Sequence, residues 1–460
     1  MTSSLSRRRF LELTTVTGGA ALAGCASTPR RIVTPGKLRH AGIGAGGMGD
    51  ADLSQLASHA ELEIVALCDV DEAHLKAAAE KYPDARLYRD WRELFAKEDD
   101  AIDSVSVTIP DHMHAVVMLE ALRRRKHVYG QKPLTRTVSE ARAVARASER
   151  SGVVTQMGIQ NHSAQPYAQA FRLFHEGHVG EVYAVHVWSD RPAGWWPQGC
   201  GRQEGEDEIP ATLDWDRWLG VAPVRPYKTG QYHPFAWRGW KDFGTGAQGD
   251  MGCHLMDPAI WFLELGHPLR IRSDGPAPND ETYPLWSRVD YDFPATRFTT
   301  AGPLRFTWHD GGKHAYREIL EEIGADLFEP ATKDDGTPNE NAGALRGEWK
   351  NACLFLGTKG AMVASPYGPP LVLRADQAEV AIPEIATRNH WHTWIEACRG
   401  QGETNAPFDY AALLTEIVLL GNVALHFPHE SLEWNGRAME FRGRMEATRL
   451  LSSEYREGWS

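Results

Sequence analysis

The chain has 460 residues, with 49 lysines and arginines against 61 aspartates and glutamates, so its formal net charge is −12. Charges of both signs are mixed along the sequence, which argues against a nucleic-acid-binding protein, and the length favours two domains that each bury a core. No stretch after residue 25 is apolar enough to span a bilayer.

The first 25 residues resemble an export signal. Ser6-Arg-Arg-Arg-Phe-Leu11 is a basic segment of the twin-arginine type, and the small apolar residues after it are too few to span a membrane. Leu22-Ala-Gly-Cys25 resembles a bacterial lipobox, in which the cysteine receives a lipid, and an ordinary cleavage site is the alternative. We therefore predict a twin-arginine signal over 1–25, a tether over 26–36, and a protein of the periplasm or cell envelope that is lipid-anchored if Cys25 is modified.

A glycine-rich turn follows the first predicted strand, Leu38 to Ile43. Gly44-Ala-Gly-Gly-Met-Gly49 has a spacing that permits a tight turn, a close approach of the backbone to a pyrophosphate, and close packing of the next helix. Free N–H groups at that helix start suit a phosphate anion. Asp69 follows about 20 residues after the last glycine, where a carboxylate binds a ribose 2′-hydroxyl and repels a 2′-phosphate unless a cation lies nearby. Strand, turn, helix and acid together predict a site for NAD, and a merely structural turn is the alternative.

Strand-like and helix-like segments alternate up to about residue 160, which is typical of a parallel sheet with crossover helices. The predicted strands after the glycine turn include Ser104–Pro110, His127–Pro133 and Val153–Met157. The predicted helices include Asp71–Tyr82, His112–Arg125 and Thr137–Arg150. We therefore predict a Rossmann NAD-binding domain over 37–160, built on a doubly wound parallel sheet.

The alternation of strand-like and helix-like segments ends at about residue 161, and strand-like runs then lie among long polar loops. Glu181–Trp188 and Leu304–Trp308 are predicted strands, and Trp391–Cys398 and Tyr410–Ala424 are predicted helices. We predict an α+β domain over 161–460 with a mostly antiparallel sheet, serving substrate binding and oligomerisation. Tryptophans crowd between residues 188 and 240, and both core packing and stacking against a sugar stay open for them.

Three polar side chains have the chemistry to oxidise an alcohol. Lys132 lies between a short strand and a proline at the edge where ligands of parallel sheets collect, so its ammonium can bind a substrate oxygen and balance alkoxide charge. Asp250 and His254 are four residues apart in a stretch that can be helical, which puts them on one face. The histidine can take the hydroxyl proton as hydride leaves carbon, and the carboxylate can orient the ring or hold a second hydroxyl. A surface lysine, a helix cap and a core histidine are the alternatives.

Further candidates lie after strand ends or in loops. His114 follows the strand that ends at Pro110 and is predicted to lie beside the nicotinamide or the substrate, while Asn161 and His162 are predicted to project into the cleft between the domains. His162, Trp237 and Arg238 are candidate substrate-binding residues, with structural roles as the alternative. The complete predicted cofactor-binding set is Gly44, Gly46, Gly47, Met48, Gly49, Asp69, Pro110, His114, Lys132 and Asn161.

The sequence gives little support for a metal site, a disulfide framework or a serine nucleophile. No H-E-x-x-H or comparable ligand spacing occurs, so no metal site is predicted. The six cysteines lie at 25, 68, 200, 253, 353 and 398 without a C-x-x-C, so neither a zinc site nor a disulfide framework is predicted, while one disulfide stays open. A G-x-S-x-G nucleophile elbow is missing from the sequence.

Four motifs at matching separations resemble the Gfo/Idh/MocA oxidoreductases. They are the glycine turn, Pro110-Asp-His-Met-His114, Gln131-Lys-Pro133 and Asp250-x-x-x-His254, and the resemblance extends from Lys37 to the C-terminal end. The segment from Trp237 to Asp250 and the closing Tyr455-Arg-Glu-Gly-Trp459 resemble an exported branch that twin-arginine signals often precede.

Membership in this family implies a Rossmann domain, a second domain whose open sheet face serves assembly into homo-oligomers, and NAD(P)-linked chemistry on sugars, inositols or related polyols. It also implies a catalytic lysine in a Glu-Lys-Pro segment, and Lys132 is that lysine here. The chain departs from the pattern at Gln131, which replaces the usual glutamate.

These observations predict an NAD-dependent oxidoreductase that acts on a sugar, glycoside or polyol. Because the twin-arginine route carries folded proteins and free NAD is cytoplasmic, an exported enzyme has to take up its cofactor before export and hold it tightly. One alternative is a redox-cycling glycosidase, in which oxidation, elimination, hydration and return of the hydride leave no net redox change. A second is a non-catalytic protein that keeps NAD as a structural ligand, against which the retention of Lys132, Asp250 and His254 argues.

Overall fold

The computed structural model describes residues 32–313, 329–333, 336–342 and 346–459, so the predicted signal over 1–25, with Arg7, Arg8 and Cys25, lies outside the described residues. Within the described ranges, no helix is both long and apolar enough to cross a membrane. The five cysteines of these ranges are all free thiols, four of them buried.

The first domain is a six-stranded parallel sheet in the order β3-β2-β1-β4-β5-β6. Its strands are β1 (Leu38–Ile43), β2 (Leu62–Cys68), β3 (Arg86–Tyr88), β4 (Ser104–Val107), β5 (His127–Gln131) and β6 (Thr155–Gly158). The order reverses between β1 and β4, and a crevice at the carboxyl ends of such a pair is where doubly wound sheets bind ligands. The predicted fold of this domain is therefore confirmed.

Five helices connect these strands. They are α1 (Met48–Ala57), α2 (Glu72–Lys81), α3 (Trp91–Glu98), α4 (His114–Arg123) and α5 (Val138–Ser151). The helix starts follow the sequence signals closely: Asp71 caps α2 by accepting from the Ala73 amide, and Thr137 with Glu140 forms a reciprocal capping box at α5. The predicted helix from His112 begins later, because a 3₁₀ turn, Asp111–Met113, precedes α4.

The second domain is a nine-stranded sheet in the order β13-β12-β11-β7-β10-β9-β8-β14-β15. Strands β7 and β10 pair in parallel and the other described pairs are antiparallel, which confirms the predicted mostly antiparallel sheet. The strands are β7 (Val182–Trp188), β8 (Arg270–Asp274), β9 (Arg288–Phe293), β10 (Leu304–His309), β11 (Ala352–Gly357), β12 (Gly360–Ser365), β13 (Gly368–Arg374), β14 (Ser431–Asn435) and β15 (Glu440–Phe441).

The described helices of this half are α6 (Gln165–His175), α7 (Trp215–Leu219), α8 (Gly246–Leu255), α9 (Asp257–Phe262), α10 (His390–Cys398), α11 (Phe408–Ala424) and α12 (Met445–Arg449). Helix α11 is buried along most of its length between α5 and α8, so it joins the two domains. Gly252 lets α8 approach α11 closely, since a Cβ there would lie 2.9 Å from a Val418 methyl. This contact fixes the helix that carries Asp250 and His254.

The described end of the predicted tether is bound to the folded body. The Ile32 amide donates to the Gly152 carbonyl at 2.8 Å, and the Thr34 amide donates to the Cys398 carbonyl at 3.0 Å. Residues 32–36 therefore differ from the expectation of a tether over 26–36, because their backbone finds acceptors at the ends of α5 and α10.

Candidate active site

A cavity of about 780 Å³ runs along the carboxyl ends of the first sheet and continues between the two domains. One end holds the glycine turn and Asp69, and the other holds Lys132, Asp250 and His254. The fold thus brings into one cavity residues that the sequence predicts separately for cofactor binding and for catalysis.

The glycine turn has the backbone that its sequence predicts. Gly44 and Gly47 have φ of +93° and +55°, and a Cβ on Gly44 would lie 2.0 Å from the Thr108 carbonyl oxygen. A Cβ on Gly49 would lie 2.3 Å from the Gly44 oxygen, so this glycine permits close packing of α1 and lies behind the cavity wall. Open space lies around the Cβ position of Gly47, at the start of α1. This cradle fits a pyrophosphate.

Asp69 lies at the end of β2 with both carboxylate oxygens anchored. Oδ2 accepts the Ala45 amide at 2.8 Å and Oδ1 accepts the Asp71 amide at 2.9 Å. His74 Nδ1 lies 3.4 Å from Oδ2, and its hydrogen bond with Asp69 raises the pKa of His74. A Cβ on Gly46 would lie 2.4 Å from His74, so Gly46 makes room for this imidazole. The carboxylate is thereby held beside the turn, where it can bind a ribose.

Lys132 and Asp250 lie at the end of the cavity opposite the glycine turn, which we name the catalytic end. The ammonium of Lys132 donates to Asp250 Oδ1 and to the Asp250 backbone oxygen, both at 2.9 Å, and Arg238 Nε lies 3.2 Å from the same Oδ1. Burial opposes ionisation of Asp250, but the two cations outweigh it and hold its pKa well below the ordinary value. Asp250 is therefore an anion that fixes the position of the Lys132 ammonium.

His254 lies one helical turn beyond Asp250 and also lines the cavity. Burial, with the Lys132 cation, lowers the pKa of His254 to about 3, so the ring is neutral at neutral pH. Its Nδ1 is buried and has no hydrogen-bond partner among the described residues. Asp250 therefore does not orient this ring through a hydrogen bond, and its observed partners are Lys132 and Arg238.

A second buried carboxyl, Asp111, lies on the cavity wall and links the two domains. The Thr245 hydroxyl, just before α8, donates to Asp111 Oδ2 at 2.7 Å. Burial raises the pKa of Asp111 to about 7, and the nearby Asp250 carboxylate adds to the rise. This acid lies within the Pro110–His114 motif, but the sequence alone does not show that it is buried.

Gln131, the residue that departs from the family pattern, has a carboxylate partner. Its Nε2 donates to Asp52 Oδ2 at 2.8 Å, and its Oε1 accepts the Lys132 amide at 3.3 Å. Asp52 also accepts from Thr108 at 2.9 Å and from the Trp391 indole at 2.8 Å. Burial raises the pKa of Asp52 to about 6, against these three neutral donors. The lysine-bearing turn thus rests on a buried acid from α1.

The other predicted residues divide between the cavity and the core. Met48, Pro110, Asn161, Trp237 and Arg238 line the cavity. Their predicted contacts with cofactor or substrate stay predictions.

His114 and His162 lie elsewhere, which corrects their predicted places. The His114 ring nitrogens lie 2.9 Å from the Pro133 oxygen and 2.7 Å from the Ile109 oxygen, so this buried ring ties two strand ends together behind the site. His162 is buried, with Nδ1 2.9 Å from Asp257 Oδ2 and its ring stacked on Trp261 at 4.1 Å. Both rings are occupied by protein partners, and neither lines the cavity.

Sequence reasoning missed most of the wall around the catalytic end. Arg191, Phe235 and Tyr367 line the cavity there without having been predicted, and Trp195 and Trp196 are among the tryptophans for which core packing and sugar stacking stayed open. Trp195 and Tyr367 are 50% and 55% exposed, so they offer open ring surface. The abundance of tryptophan was the available signal, but the sequence could not separate these rings from core residues.

His233 and Asp71 lie at the ribose end beside His74. His233 Nε2 lies 3.1 Å from Asp71 Oδ2, and the ligand atoms of the three residues lie within 4.8 Å of one another. Their hydrogen bonds to one another and to Asp69 account for this arrangement. The expectation of no metal site stays a prediction.

Comparisons with known proteins agree with this architecture. The sequence model described as "Oxidoreductase family, NAD-binding Rossmann fold" matches residues 38–159, and the "Oxidoreductase family, C-terminal alpha/beta domain" matches residues 169–297. Inositol 2-dehydrogenase of Salmonella typhimurium is 30% identical over 147 residues, which are 31% of this chain and 43% of that protein. D-apiose dehydrogenase of Paraburkholderia graminis is 35% identical over 122 residues, which are 26% of this chain and 32% of that protein. The chain thus spans less than half the length of these relatives.

Among solved structures, the WlbA dehydrogenase of Chromobacterium violaceum, in complex with NADH and UDP-GlcNAcA, is similar in fold. The TM-score is 0.61 at 16% sequence identity, over 88% of this chain and 98% of that one. The two sequence models together match more than half of the chain, and they fall on the two domains that the structure shows. The protein therefore belongs to the Gfo/Idh/MocA oxidoreductase family, and residues 38–159 are that family's NAD-binding Rossmann domain.

Proposed function

We propose that the protein uses tightly held NAD to oxidise a carbinol carbon of a sugar, glycoside or polyol. The observation that carries this proposal is the position of Lys132. Its ammonium is held at 2.9 Å by both the carboxylate and the backbone oxygen of Asp250, in the same cavity as the glycine turn and Asp69. The names of the relatives, which are dehydrogenases of inositol and of apiose, support a polyhydroxylated substrate.

When bound, NAD supplies a hydride acceptor. The chain supplies the other half of the reaction, which is removal of the hydroxyl proton. His254 is neutral in the cavity, so its ring can accept that proton as the carbon loses hydride. The Lys132 ammonium can donate to the same oxygen and stabilise the negative charge that develops on it. Asp250 acts by holding that ammonium in place, because it is ionised and shared between Lys132 and Arg238.

A redox-cycling glycosidase is the second candidate, and the rings at the cavity favour it. Trp195 and Tyr367 keep half of their surface exposed, and the Arg191 guanidinium carbon lies 3.6 Å from the centroid of the Trp195 ring. Exposed rings beside a reaction site suit the apolar faces of a sugar. They would provide a place for the leaving group of a glycoside beyond the sugar that is oxidised.

Export is part of the same proposal. Arg7, Arg8 and Cys25 belong to the predicted signal, and a protein that is translocated in the folded state has to carry its cofactor with it. Retained NAD also suits an enzyme that returns the hydride at the end of each cycle. The proposal thus joins an envelope location to a cofactor that stays bound. In net oxidation, a second, carbonyl-bearing substrate then has to take the hydride back from NADH, whereas the redox-cycling glycosidase returns it to its own substrate.

Product analysis tests these alternatives directly. The purified protein is incubated with a panel of glycosides, free sugars and polyols, with and without added NAD, and products are identified by mass spectrometry. A keto product with matching reduction of NAD supports net oxidation, whereas release of a free sugar without net reduction supports the glycosidase. If no substrate is converted and denatured protein releases no dinucleotide, the proposed function is wrong, and the fold hosts other chemistry.

A further inference from the structure

A small, separate hydrophobic core covers the ribose end of the cavity. Buried side chains between residues 213 and 243, which we name the cap, cluster with Val70 at the end of β2. The Asp214 amide donates to the Val70 carbonyl at 3.0 Å, and Asp71 and Leu213 form an antiparallel bridge. The cap is therefore fixed to the strand end that carries Asp69.

Helix α7 of the cap forms one wall of this end. Arg217 and Trp218 both line the cavity, and Arg217 Nε lies 3.2 Å from Asp90 Oδ2 in the first domain. Trp91, at the start of α3, lines the cavity from the other side. This wall thus crosses from one domain to the other in the same cavity as Asp69.

Residues 452–459, which we name the tail, are fastened to α7 by one arginine. The Arg456 amide donates to the Val221 oxygen at 2.9 Å, and its guanidinium donates to the Gly220 oxygen at 3.0 Å. The same guanidinium donates to the Asp216 carboxylate at 2.6 Å and to the Asp216 backbone oxygen at 3.0 Å. Arg456 therefore satisfies carbonyl groups at the end of α7 and pairs with an acid on it.

The tail is also bound to the start of α5. The Tyr455 hydroxyl donates to Glu140 Oε1 at 2.6 Å, and Arg136 donates to the Ser453 hydroxyl at 2.7 Å. These bonds lie one to three residues before Arg456, so the tail is attached to both domains before it reaches the cavity.

Trp459 connects the tail to α3 at the cavity. Its ring lines the cavity, and the guanidinium carbon of Arg92 on α3 lies 3.8 Å from the ring centroid. The indole is half-buried and spans the gap between the tail and α3. An aromatic ring beside the ribose site provides a surface on which a purine can stack.

We propose that the tail is part of the cofactor site, with Trp459 covering the adenine of bound NAD and Arg456 holding Trp459 in place. The dinucleotide then leaves only when the tail detaches from α7 and α3, which makes its release slow. This inference rests on the proposed use of NAD and adds the segment that retains it. It also assigns a purpose to the closing Tyr455–Trp459 motif.

The test measures release of the cofactor. Wild-type protein and variants are loaded with NADH, and release is followed by nicotinamide fluorescence after mixing with excess NAD. We expect Trp459→Ala and Arg456→Ala each to speed release by roughly 10- to 100-fold, within the range that stacking of a base on a ring supports. The double variant should release no faster than the faster single variant, because both changes remove the same contact. Trp459→Phe, which keeps a ring, should stay within a few-fold of wild type.

A matched surface control is Met445→Ala, which changes an exposed side chain on α12 outside the cavity and should leave release unchanged. Circular dichroism checks that each variant is folded, and Trp459→Phe keeps the test valid if Trp459→Ala does not fold. Unchanged or slower release from folded Trp459→Ala and Arg456→Ala overturns the assignment of the tail. If wild-type protein binds no NADH, the proposed function fails before the tail is tested, so the two failures are distinguishable.

Discussion

Gln131 donates from Nε2 to the buried Oδ2 of Asp52 at 2.8 Å, so a carboxylate lies directly behind the lysine-bearing turn although the motif residue itself is an amide. The family pattern places a glutamate at position 131. In this chain the acid lies one contact further back, on α1, and the amide connects it to the Lys132 backbone. The departure at Gln131 therefore leaves Lys132 in place, with a buried carboxylate one contact behind the lysine-bearing turn.

This relationship predicts the outcome of restoring the family residue. Gln131→Glu alone places two carboxylates in contact in a buried site, where both cannot ionise without a large cost. We expect a lower free energy of unfolding at neutral pH, by about 3–5 kcal/mol, the order of an uncompensated buried charge. Adding Asp52→Asn should recover most of that loss. Denaturant unfolding measures both, with the exposed Gln203→Glu as control. A stable single variant that the second change does not improve would contradict the contact.

The Lys132–Asp250 pair predicts the strongest effect on turnover. Lys132→Met removes the donor to the substrate oxygen, and Asp250→Asn removes the charge that holds the donor. We expect each variant to lose about 10²- to 10⁴-fold in kcat, the range for a positioned acid–base group, while NAD binding survives. Lys37→Met is the matched control, because Lys37 is exposed and lies 4.0 Å from Glu63 on the surface. Near-normal turnover in a folded Lys132→Met variant contradicts the assignment.

Much of this site is encoded in short stretches of sequence. The glycine turn, the acid after β2 and the capping box of α5 depend on residues within a few positions of each other, so the pattern predicts them. Asp250 and His254 also follow from helical spacing. Together these local signals predict a Rossmann fold, and that fold puts Lys132 and Asp69 at opposite ends of one cavity.

The residues that the sequence pattern missed or placed wrongly depend on contacts between distant segments. Asp52 is buried because Trp391, 339 residues away in the chain, covers it and donates to it. His162 lies in the core and not in the cleft, because its ring contacts Asp257, which is 95 residues away in the chain. Nothing near Asp52 or His162 in the sequence reveals these partners, and packing of the second domain decides the outcome.

Asp69 predicts the choice between the two nicotinamide dinucleotides. The carboxylate is fixed by the amides of Ala45 and Asp71, so it cannot swing away from a 2′-phosphate. We expect wild-type protein to bind NAD more tightly than NADP. In Asp69→Ser, the ratio of the NADP and NAD dissociation constants should fall at least tenfold, because one charge–charge contact near a protein surface is lost. Calorimetry at matched ionic strength measures it, with the exposed Asp84→Ser as control. Equal affinity of the wild type for both dinucleotides rules out this role.

Asp111 predicts a pH dependence of stability with a definite sign. Burial raises its pKa from 3.8 to about 7, so between these values the folded state keeps a proton that the unfolded chain releases. The contribution of Asp111 to the free energy of unfolding therefore falls as pH rises through this window, by up to about 4 kcal/mol, and is constant at lower pH. Asp111→Asn keeps an acceptor for Thr245 and removes the titration.

Unfolding of cofactor-free protein by denaturant, measured at intervals from pH 4 to 8, tests this expectation. Relative to Asp111→Asn, the wild type should lose stability steadily as pH rises to about 7. The exposed Asp84→Asn serves as control, and its difference from wild type should not change in this way. If the free energy of unfolding of the wild type, relative to Asp111→Asn, stays constant or increases with pH, the pKa of Asp111 is not raised in the folded protein.

The export proposal makes its prediction outside the described residues. Arg7 and Arg8 supply the charge pair of a twin-arginine signal, so replacing both by lysine should leave the precursor in the cytoplasm. Replacing Cys25 by alanine should release the mature protein from the membrane without preventing export, since only the lipid attachment site is lost. Fractionation with immunoblotting measures both, and mass spectrometry of denatured envelope protein shows whether NAD travels with it. Because this route moves folded protein, envelope material that is active without any bound dinucleotide would separate export from the cofactor and refute the hydride mechanism.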